Sequence, residues 1–333
     1  MSEKKGRVFS GARPTGTQHL GNYFGAIQNY VALQADYDCV YSIVDVHALT
    51  TMETTLNIQN NTLEMALDWL AAGINPEDSI VFVQSHVPQV LELHTYLSMI
   101  SSLGKLSELP NFKEKVKMHP KNVNYGLLGY PVLMSADILL YKTNVVPVGV
   151  DQQSHLEYAR ELVRSFNFRY KSEVLIEPQM KLTKFPKILG TDGVKKMSKS
   201  LNNQIEMAAT PEETTKTVMT MKTDPQRLRL SDPGDPDVCN VFTMHKIFSD
   251  PADVERIDGE CRKAEIGCVA CKRLLAENIN NYFVPFREKR AALAAKPDDV
   301  WEILNDGAKR ARGIADETMV EVRDAIGLAP FKG

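Results

Sequence analysis

The chain has 333 residues, a length that suits about two domains rather than one small core. Apolar residues make up 43% and charged residues 24%, which excludes a disordered or collagen-like chain. A formal net charge of -3 excludes a general electrostatic pull toward nucleic acid, so any RNA contact must use local basic patches.

Residues 1–6 lack the apolar core of a signal peptide, and no run approaches a membrane span, so a cytoplasmic protein with no membrane partner is expected. Residues 7–10 read as a short strand, and residues 11–18 as a loop punctuated by Pro14 and two glycines. From His19 onward, Leu20, Phe24, Ile27, Val31 and Ala35 recur at helical spacing. A strand, a glycine-bearing loop and a helix N-terminus suit phosphate, because the first N–H groups of the helix are free. Residues 39–44 form a second buried strand candidate that ends at Asp45 and His47, followed by a helix through Leu63, Leu67 and Leu70 to Gly73. Residues 80–83 are a third strand, with a helix over about 89–101 behind it.

A helical insertion is expected over about 104–143. Its first part carries Lys105, Lys113, Lys115, Lys117 and Lys121, read as a solvated face or as a contact for RNA or a second subunit. Its second part, residues 130–140, is almost wholly apolar apart from Asp137. Residues 145–148 give a fourth strand and residues 152–166 an amphipathic helix. Short apolar strands alternating with helices predict an α/β, Rossmann-type parallel sheet covered on both faces. Ligands of such sheets bind beyond the carboxyl ends of the strands, where the loops of Arg13, His47 and Gly149 emerge. A polar loop from Gly190 carries Lys195 and then Lys196-Met197-Ser198-Lys199-Ser200, with lysines and short hydroxyl donors suited to an anionic ligand. Beyond it the pattern is helical, broken at residues 231–236 and 296–297. The predicted division is an α/β domain over 1–205 and an all-helical domain over 206–333.

Of the five cysteines, Cys39 stands alone in a strand and reads as a buried small hydrophobe. Cys239, Cys261, Cys268 and Cys271 cluster with spacing C-x21-C-x6-C-x2-C. Four thiols so close together suit structural zinc, the commoner four-cysteine site, or an iron–sulfur cluster.

Residues 196–200 match the KMSKS signature of class I aminoacyl-tRNA synthetases letter for letter. His19-Leu20-Gly21-Asn22, after the first strand, matches the place and form of their HIGH motif. Further blocks at 9–16, 45–50, 130–141 and 146–152 resemble bacterial tryptophanyl-tRNA synthetases, and residues 221–225 with the cysteine cluster resemble a subset of that family. The resemblance implies a ligase that activates L-tryptophan with ATP and Mg2+, releases pyrophosphate, and transfers tryptophan to tRNA(Trp). The helical half would bind the anticodon, and the protein would be a homodimer.

The same resemblance assigns residues. Catalysis would fall to His19, Asn22, Lys196 and Lys199. ATP would lie against Arg13, Pro14, Thr15, Gly21, Asn22, Gly149, Val150, Asp151, Ile188 and the loop Lys196, Met197, Ser198, Lys199, Ser200. Tryptophan would bind Asp137, Phe9, His47, Tyr130, Met134, Val146, Val148 and Gln152, with Asp137 accepting the indole N–H. A buried carboxylate among apolar neighbours needs a partner, so one is expected for Asp137. In the cysteine-bearing subset, Cys239, Cys261, Cys268 and Cys271 would hold a [4Fe-4S] cluster, with structural zinc the alternative. Three positions depart from the pattern: Arg13 stands where many members carry glutamine, Val150 replaces an acidic residue, and Ser154 a glutamine.

Overall fold

The computed structural model describes residues 4–51, 55–118, 120, 122–182 and 188–329; Lys121 and the side chain of Asp151 lie outside the described set. Five strands, β1 (Arg7–Ala12), β2 (Asp38–Ile43), β3 (Ser79–Val83), β4 (Val145–Val148) and β5 (Gln179–Leu182), form one sheet in the order β3-β2-β1-β4-β5. Every pairing is parallel. This is a Rossmann-like sheet, as the alternation of short apolar runs and helices predicts.

Four strands fall where apolar runs place them. The fifth, Gln-Met-Lys-Leu, has no such run because it is an edge strand with no fully buried residue. Its period-2 signal is too weak to separate from loop.

Alternation along the strands divides the interior into two layers. Val8, Tyr41, Val81 and Val83 face Leu20, Phe24, Met65 and Trp69 on one side. Phe9, Val40, Phe82 and Val146 face Leu93, Leu97, Leu133 and Leu139 on the other. The chain winds outward from β1 through β2 to β3, then crosses back to β4 on the far side of β1. The β1–β4 boundary is therefore the topological switch point, where the two adjacent loops leave in opposite directions and open a crevice.

The helix expected from His19 is present but not uniform. Leu20–Asn22 is α-helical, Tyr23–Ile27 is π-helical, and Gln28–Leu33 returns to α. Its start is a reciprocal cap: the Asn22 N–H donates to His19 Nδ1 at 3.2 Å, and the His19 N–H donates to Asn22 Oδ1 at 3.1 Å. The insertion resolves into helices Leu103–Glu108, Pro110–Met118 and Tyr125–Leu140.

After residue 210 the chain is helical: Pro211–Met219, Asn240–Phe248, Pro251–Arg262, Cys268–Tyr282, Val284–Ala294 and Pro297–Ile326. The last of these returns to the sheet. Ala308, Ala311, Ala315, Met319 and Val322 are buried in the same layer as Phe82 and Leu93. At Gly307 the helix lies so close to β3 that an added Cβ would stand 1.9 Å from the Val81 carbonyl oxygen. Val241, Phe242, Phe283 and Val300 of the helical half share the other layer with Leu20 and Met65. Among the described residues no helix is long and apolar enough to cross a membrane.

Candidate active site

A cavity of about 940 Å³ opens at the switch point. Its floor is strand-borne. Phe9 and Gly11 project from β1, and Val146 and Val148, two residues apart, project from β4. One wall is helix Tyr125–Leu140, where Tyr130, Met134 and Asp137 lie four and three residues apart and so share a face. Gly21 and Gly25 of the first helix, Ile188 and Lys196 close the opposite side.

Asp137 is 2% exposed in this otherwise apolar wall. His47 Nε2 lies 2.9 Å from its Oδ2, and Gln84 Nε2 donates to both carboxylate oxygens at 2.8 Å. Gln84 Oε1 in turn accepts the His47 backbone N–H at 3.3 Å. These bonds use three of the roughly four acceptor positions of a carboxylate, leaving one for a donor inside the cavity. The partner that a buried carboxylate requires is thus a histidine and an amide at the carboxyl ends of β2 and β3. Sequence reasoning placed His47 here and missed Gln84, although it is the first polar residue after the apolar β3 run.

A second polar chain crosses the cavity. Tyr130 Oη lies 2.7 Å from His155 Nε2, and His155 Nδ1 lies 3.1 Å from Gln152 Oε1. His155 was not anticipated; its position three residues after Gln152, the N-cap of helix Gln153–Tyr170, is the signal that could have found it. The Lys115 ammonium sits 3.3 Å from the centroid of the Tyr130 ring. Burial, and then the charge of Arg13, lower the Lys115 pKa to about 8. The lysine-rich helix is therefore not only a solvated face, since Lys115 turns inward to line the cavity. Arg13 also lines it, and its Nη1 donates to Thr51 Oγ1 at 3.0 Å.

The other end of the site is built where two loops meet. Gly16, at φ +98°, takes a left-handed turn in which an added Cβ would stand 2.8 Å from Lys199 Nζ. Lys199 Nζ donates to the Thr15 carbonyl at 3.2 Å. Met197 is buried at 3%, and its Cβ would lie 3.3 Å from a Cβ placed on Gly21. Backbone bonds from Leu20 N to Ile205 O and from Met207 N to Gln18 O tie the loops together at 3.0 Å each. Asn203, another unanticipated residue, anchors the lysine loop from behind: its Oδ1 accepts the Ser198 N–H and its Nδ2 donates to Asp192, both at 2.8 Å.

His19 lies 7% exposed at this junction. Burial, then the charges of Lys199 and Lys196, lower its pKa from 6.5 to about 4. Its ring is neutral at pH 7. Because Nδ1 accepts from Asn22, the proton resides on Nε2, which can donate to an anion.

Of the anticipated residues, Phe9, Arg13, Gly21, His47, Tyr130, Met134, Asp137, Val146, Val148, Gly149, Gln152, Ile188 and Lys196 line one cavity. His19, Asn22, Thr15, Met197 and Lys199 form the adjoining junction. Pro14 is buried beneath the first loop, and Ser198 and Ser200 pair with each other at 2.9 Å. Val150 is 71% exposed and does not line the cavity, so its side chain is not brought to the site.

The four clustered cysteines converge from three helices, far from this cavity in sequence. Cys239 caps helix Asn240–Phe248, Cys261 ends helix Pro251–Arg262, and Cys268 and Cys271 lie in the first turn of helix Cys268–Tyr282. Burial raises the Cys271 thiol to about 12, with the charges of Cys239, Cys261 and Cys268 adding to it. Arg227 Nη1 lies 3.6 Å from Cys261 Sγ. Among the described residues, no group of three or more His, Cys, Asp or Glu side chains stands in metal-holding geometry. All five cysteines are free thiols, and Cys39 is buried as expected.

The family described as class I tRNA synthetases for tryptophan and tyrosine matches residues 1–284. The chain is 42% identical to a tryptophan–tRNA ligase of Deinococcus radiodurans over 327 residues, covering 97% of this chain and 98% of the relative. A tryptophan–tRNA ligase of Thermotoga maritima is also 42% identical, with 97% and 99% covered. In structure, the chain is similar to a tryptophanyl-tRNA synthetase from Campylobacter jejuni complexed with ADP and tryptophan. The TM-score is 0.90 and the identity 36%, with 97% of this chain and 100% of that one covered.

Proposed function

The chain belongs to the class I tRNA synthetases of the tryptophan and tyrosine family, and from that premise and the cavity we infer that it is a tryptophan–tRNA ligase. It activates L-tryptophan with ATP, as the magnesium complex, to tryptophanyl-adenylate and pyrophosphate, and then transfers tryptophan to the 3′ end of tRNA(Trp). The observation that carries the amino-acid choice is Asp137. Indole offers one N–H donor and no acceptor. A buried carboxylate with one acceptor position open, set among Phe9, Met134, Val146 and Val148, matches that inventory. His47 and Gln84 hold the carboxylate in place, and Tyr130 with Gln152 offers oxygens to the substrate ammonium group.

A carboxylate oxygen of tryptophan attacks the α-phosphorus of ATP. The bond from that phosphorus to the bridging oxygen breaks, and the electron pair leaves with pyrophosphate. No protein nucleophile is needed, so the chain contributes positioning and charge stabilisation. In this reading Lys196 and Lys199 neutralise the leaving pyrophosphate, and the neutral His19 donates from Nε2 to a phosphate oxygen. Asn22 holds the histidine ring in that tautomer, and Gly21 and Gly149 admit the nucleotide close to the backbone. Amino-acid-dependent exchange of pyrophosphate into ATP tests the assignment. Tryptophan should support exchange and tyrosine should not; the opposite order would sink it.

The residues around the cysteines fit a metal group by their donor chemistry. Burial, and then the charges of neighbouring cysteines, raise the Cys261 and Cys271 thiols, a cost a cation would relieve, and an all-thiolate set suits a [4Fe-4S] cluster or zinc. Cys239, Cys261, Cys268 and Cys271 would hold it, where it would brace the helical half, residues 206–333, as an anticodon-binding domain. Homodimerisation belongs to the same reading. Met99 and Leu103, 72% and 68% exposed beside helix Gln89–Ser98, offer apolar surface for it. Sedimentation of the protein at the mass of a single chain would exclude the dimer.

A further inference from the structure

Asp68 is fully buried in the middle of helix Ile58–Ala72, and the activation chemistry makes no use of it. A carboxylate so placed is costly unless every oxygen is engaged. Its Oδ2 accepts the backbone N–H of Gln18 at 2.9 Å, and its Oδ1 accepts Arg290 Nε at 2.6 Å. Arg290 also pairs with Glu64, one turn earlier on the same helix. Gln18 is the residue before His19, within the loop that receives Lys199 at Thr15. Arg290 belongs to helix Val284–Ala294, in the half of the chain beyond residue 205. A single carboxylate therefore joins a backbone amide of the phosphate-facing loop to a cation from the helical half.

We propose that Asp68 and Arg290 are a positioning pair through which the helical C-terminal half sets the place of the loop at residues 15–19. The carboxylate fixes the Gln18 amide, and Arg290 fixes the carboxylate; burial raises the Asp68 pKa, and the charge and N–H of Arg290 oppose that rise. Loss of Arg290 leaves Asp68 as an unpaired buried charge, which turns away or takes a proton and releases the loop. The defect then appears in nucleotide binding and not in the amino-acid pocket, because among the described residues no hydrogen bond or ion pair links Asp137, His47 or Gln84 to this pair. This inference rests on the reading of the cavity as an ATP and tryptophan site.

The test compares the wild type with Arg290→Leu and with the double variant D68L/R290L. Binding of ATP alone and of tryptophan alone is measured by titration calorimetry, and unfolding by thermal melt. Arg290→Leu is expected to weaken ATP binding about tenfold to hundredfold, leave tryptophan affinity within about twofold, and lower the Tm. The double variant is expected to recover most of the Tm, because the fully buried Asp68 charge is gone and only the part-exposed Glu64 loses its partner, while keeping the ATP defect, because Gln18 still lacks its acceptor. Recovery of ATP affinity together with the Tm would overturn the positioning role. So would an equal loss of ATP and tryptophan affinity in either variant. A wild type that binds ATP but fails tryptophan-dependent exchange would overturn the functional reading instead, and the ATP comparison would still decide the pair.

Discussion

Asp137 and Lys199 answer to opposite physical demands. Asp137 is buried among apolar side chains, and its carboxylate is held by Gln84 Nε2 and His47 Nε2, from residues set at the ends of neighbouring strands. In the proposed reading Lys199 carries its charge to pyrophosphate; burial lowers its pKa, while Glu206, Asp68 and Glu64 oppose that fall. Its ammonium donates to the Thr15 carbonyl at 3.2 Å, a contact that a phosphate oxygen can displace. Replacement of Lys199 by alanine should therefore lower the exchange rate about a hundredfold or more, since removal of one charge-stabilising donor costs on that order. Tryptophan affinity should be nearly unchanged; a large loss of affinity with intact exchange would contradict the role given to this lysine. The need of Asp137 for a partner was legible in the sequence from the apolar run around it. Which residues supply it was not, because His47 and Gln84 are distant in sequence and meet Asp137 only in the folded sheet.

At the scale of elements, the helix Pro297–Ile326 shows where local pattern and packing diverge. Gly307 in mid-helix costs about 1 kcal/mol relative to alanine by propensity alone, so Gly307→Ala would be stabilising in an isolated helix. In the fold, a Cβ there would stand 1.9 Å from the Val81 carbonyl oxygen, which is strand backbone and cannot rotate away. Overpacking costs of about 1–3 kcal/mol exceed the propensity gain, and the helix would have to lift off β3. Denaturant unfolding of Gly307→Ala should show a lower midpoint, and a midpoint equal to or above the parent would refute the close packing. The strands β1 to β4 were readable because each is buried and apolar. β5 was not, since an edge strand with little burial carries almost no periodicity. The π-helical turn at Tyr23–Ile27 was equally invisible, as it preserves the apolar spacing that marks an ordinary helix.

For the whole molecule, the α/β sheet and the helical half are joined through shared core layers, through the Arg290 pair, and through Asn240, whose Nδ2 donates to the Gly190 carbonyl at 2.9 Å. The cysteine group lies on the helical side of this junction, on helices that begin at Asn240, Pro251 and Cys268. If these thiols hold the proposed metal, Cys268→Ser should remove iron or zinc that metal analysis finds in the parent, and weaken aminoacylation of tRNA more than tryptophan-dependent exchange. A visible spectrum of the anaerobically purified parent distinguishes the two metals. Equal losses in both reactions would remove the case for a tRNA-binding role of the half that carries this group.

The sequence by itself determined the class of sheet, the two signature loops and the acceptor in the apolar wall, because each depends on residues close together in the chain. Strand burial, a glycine turn before a helix and a lone carboxylate in a run of hydrophobes are local patterns. Only the tertiary structure decided what holds those features in place. Gln84, Asp68 and Arg290 act through hydrogen bonds that span 37 to 226 residues of chain, while His155 and Asn203 tie nearer segments together. A lone polar residue has no periodicity to announce it, so its partner is set by the fold and not by its neighbours in sequence.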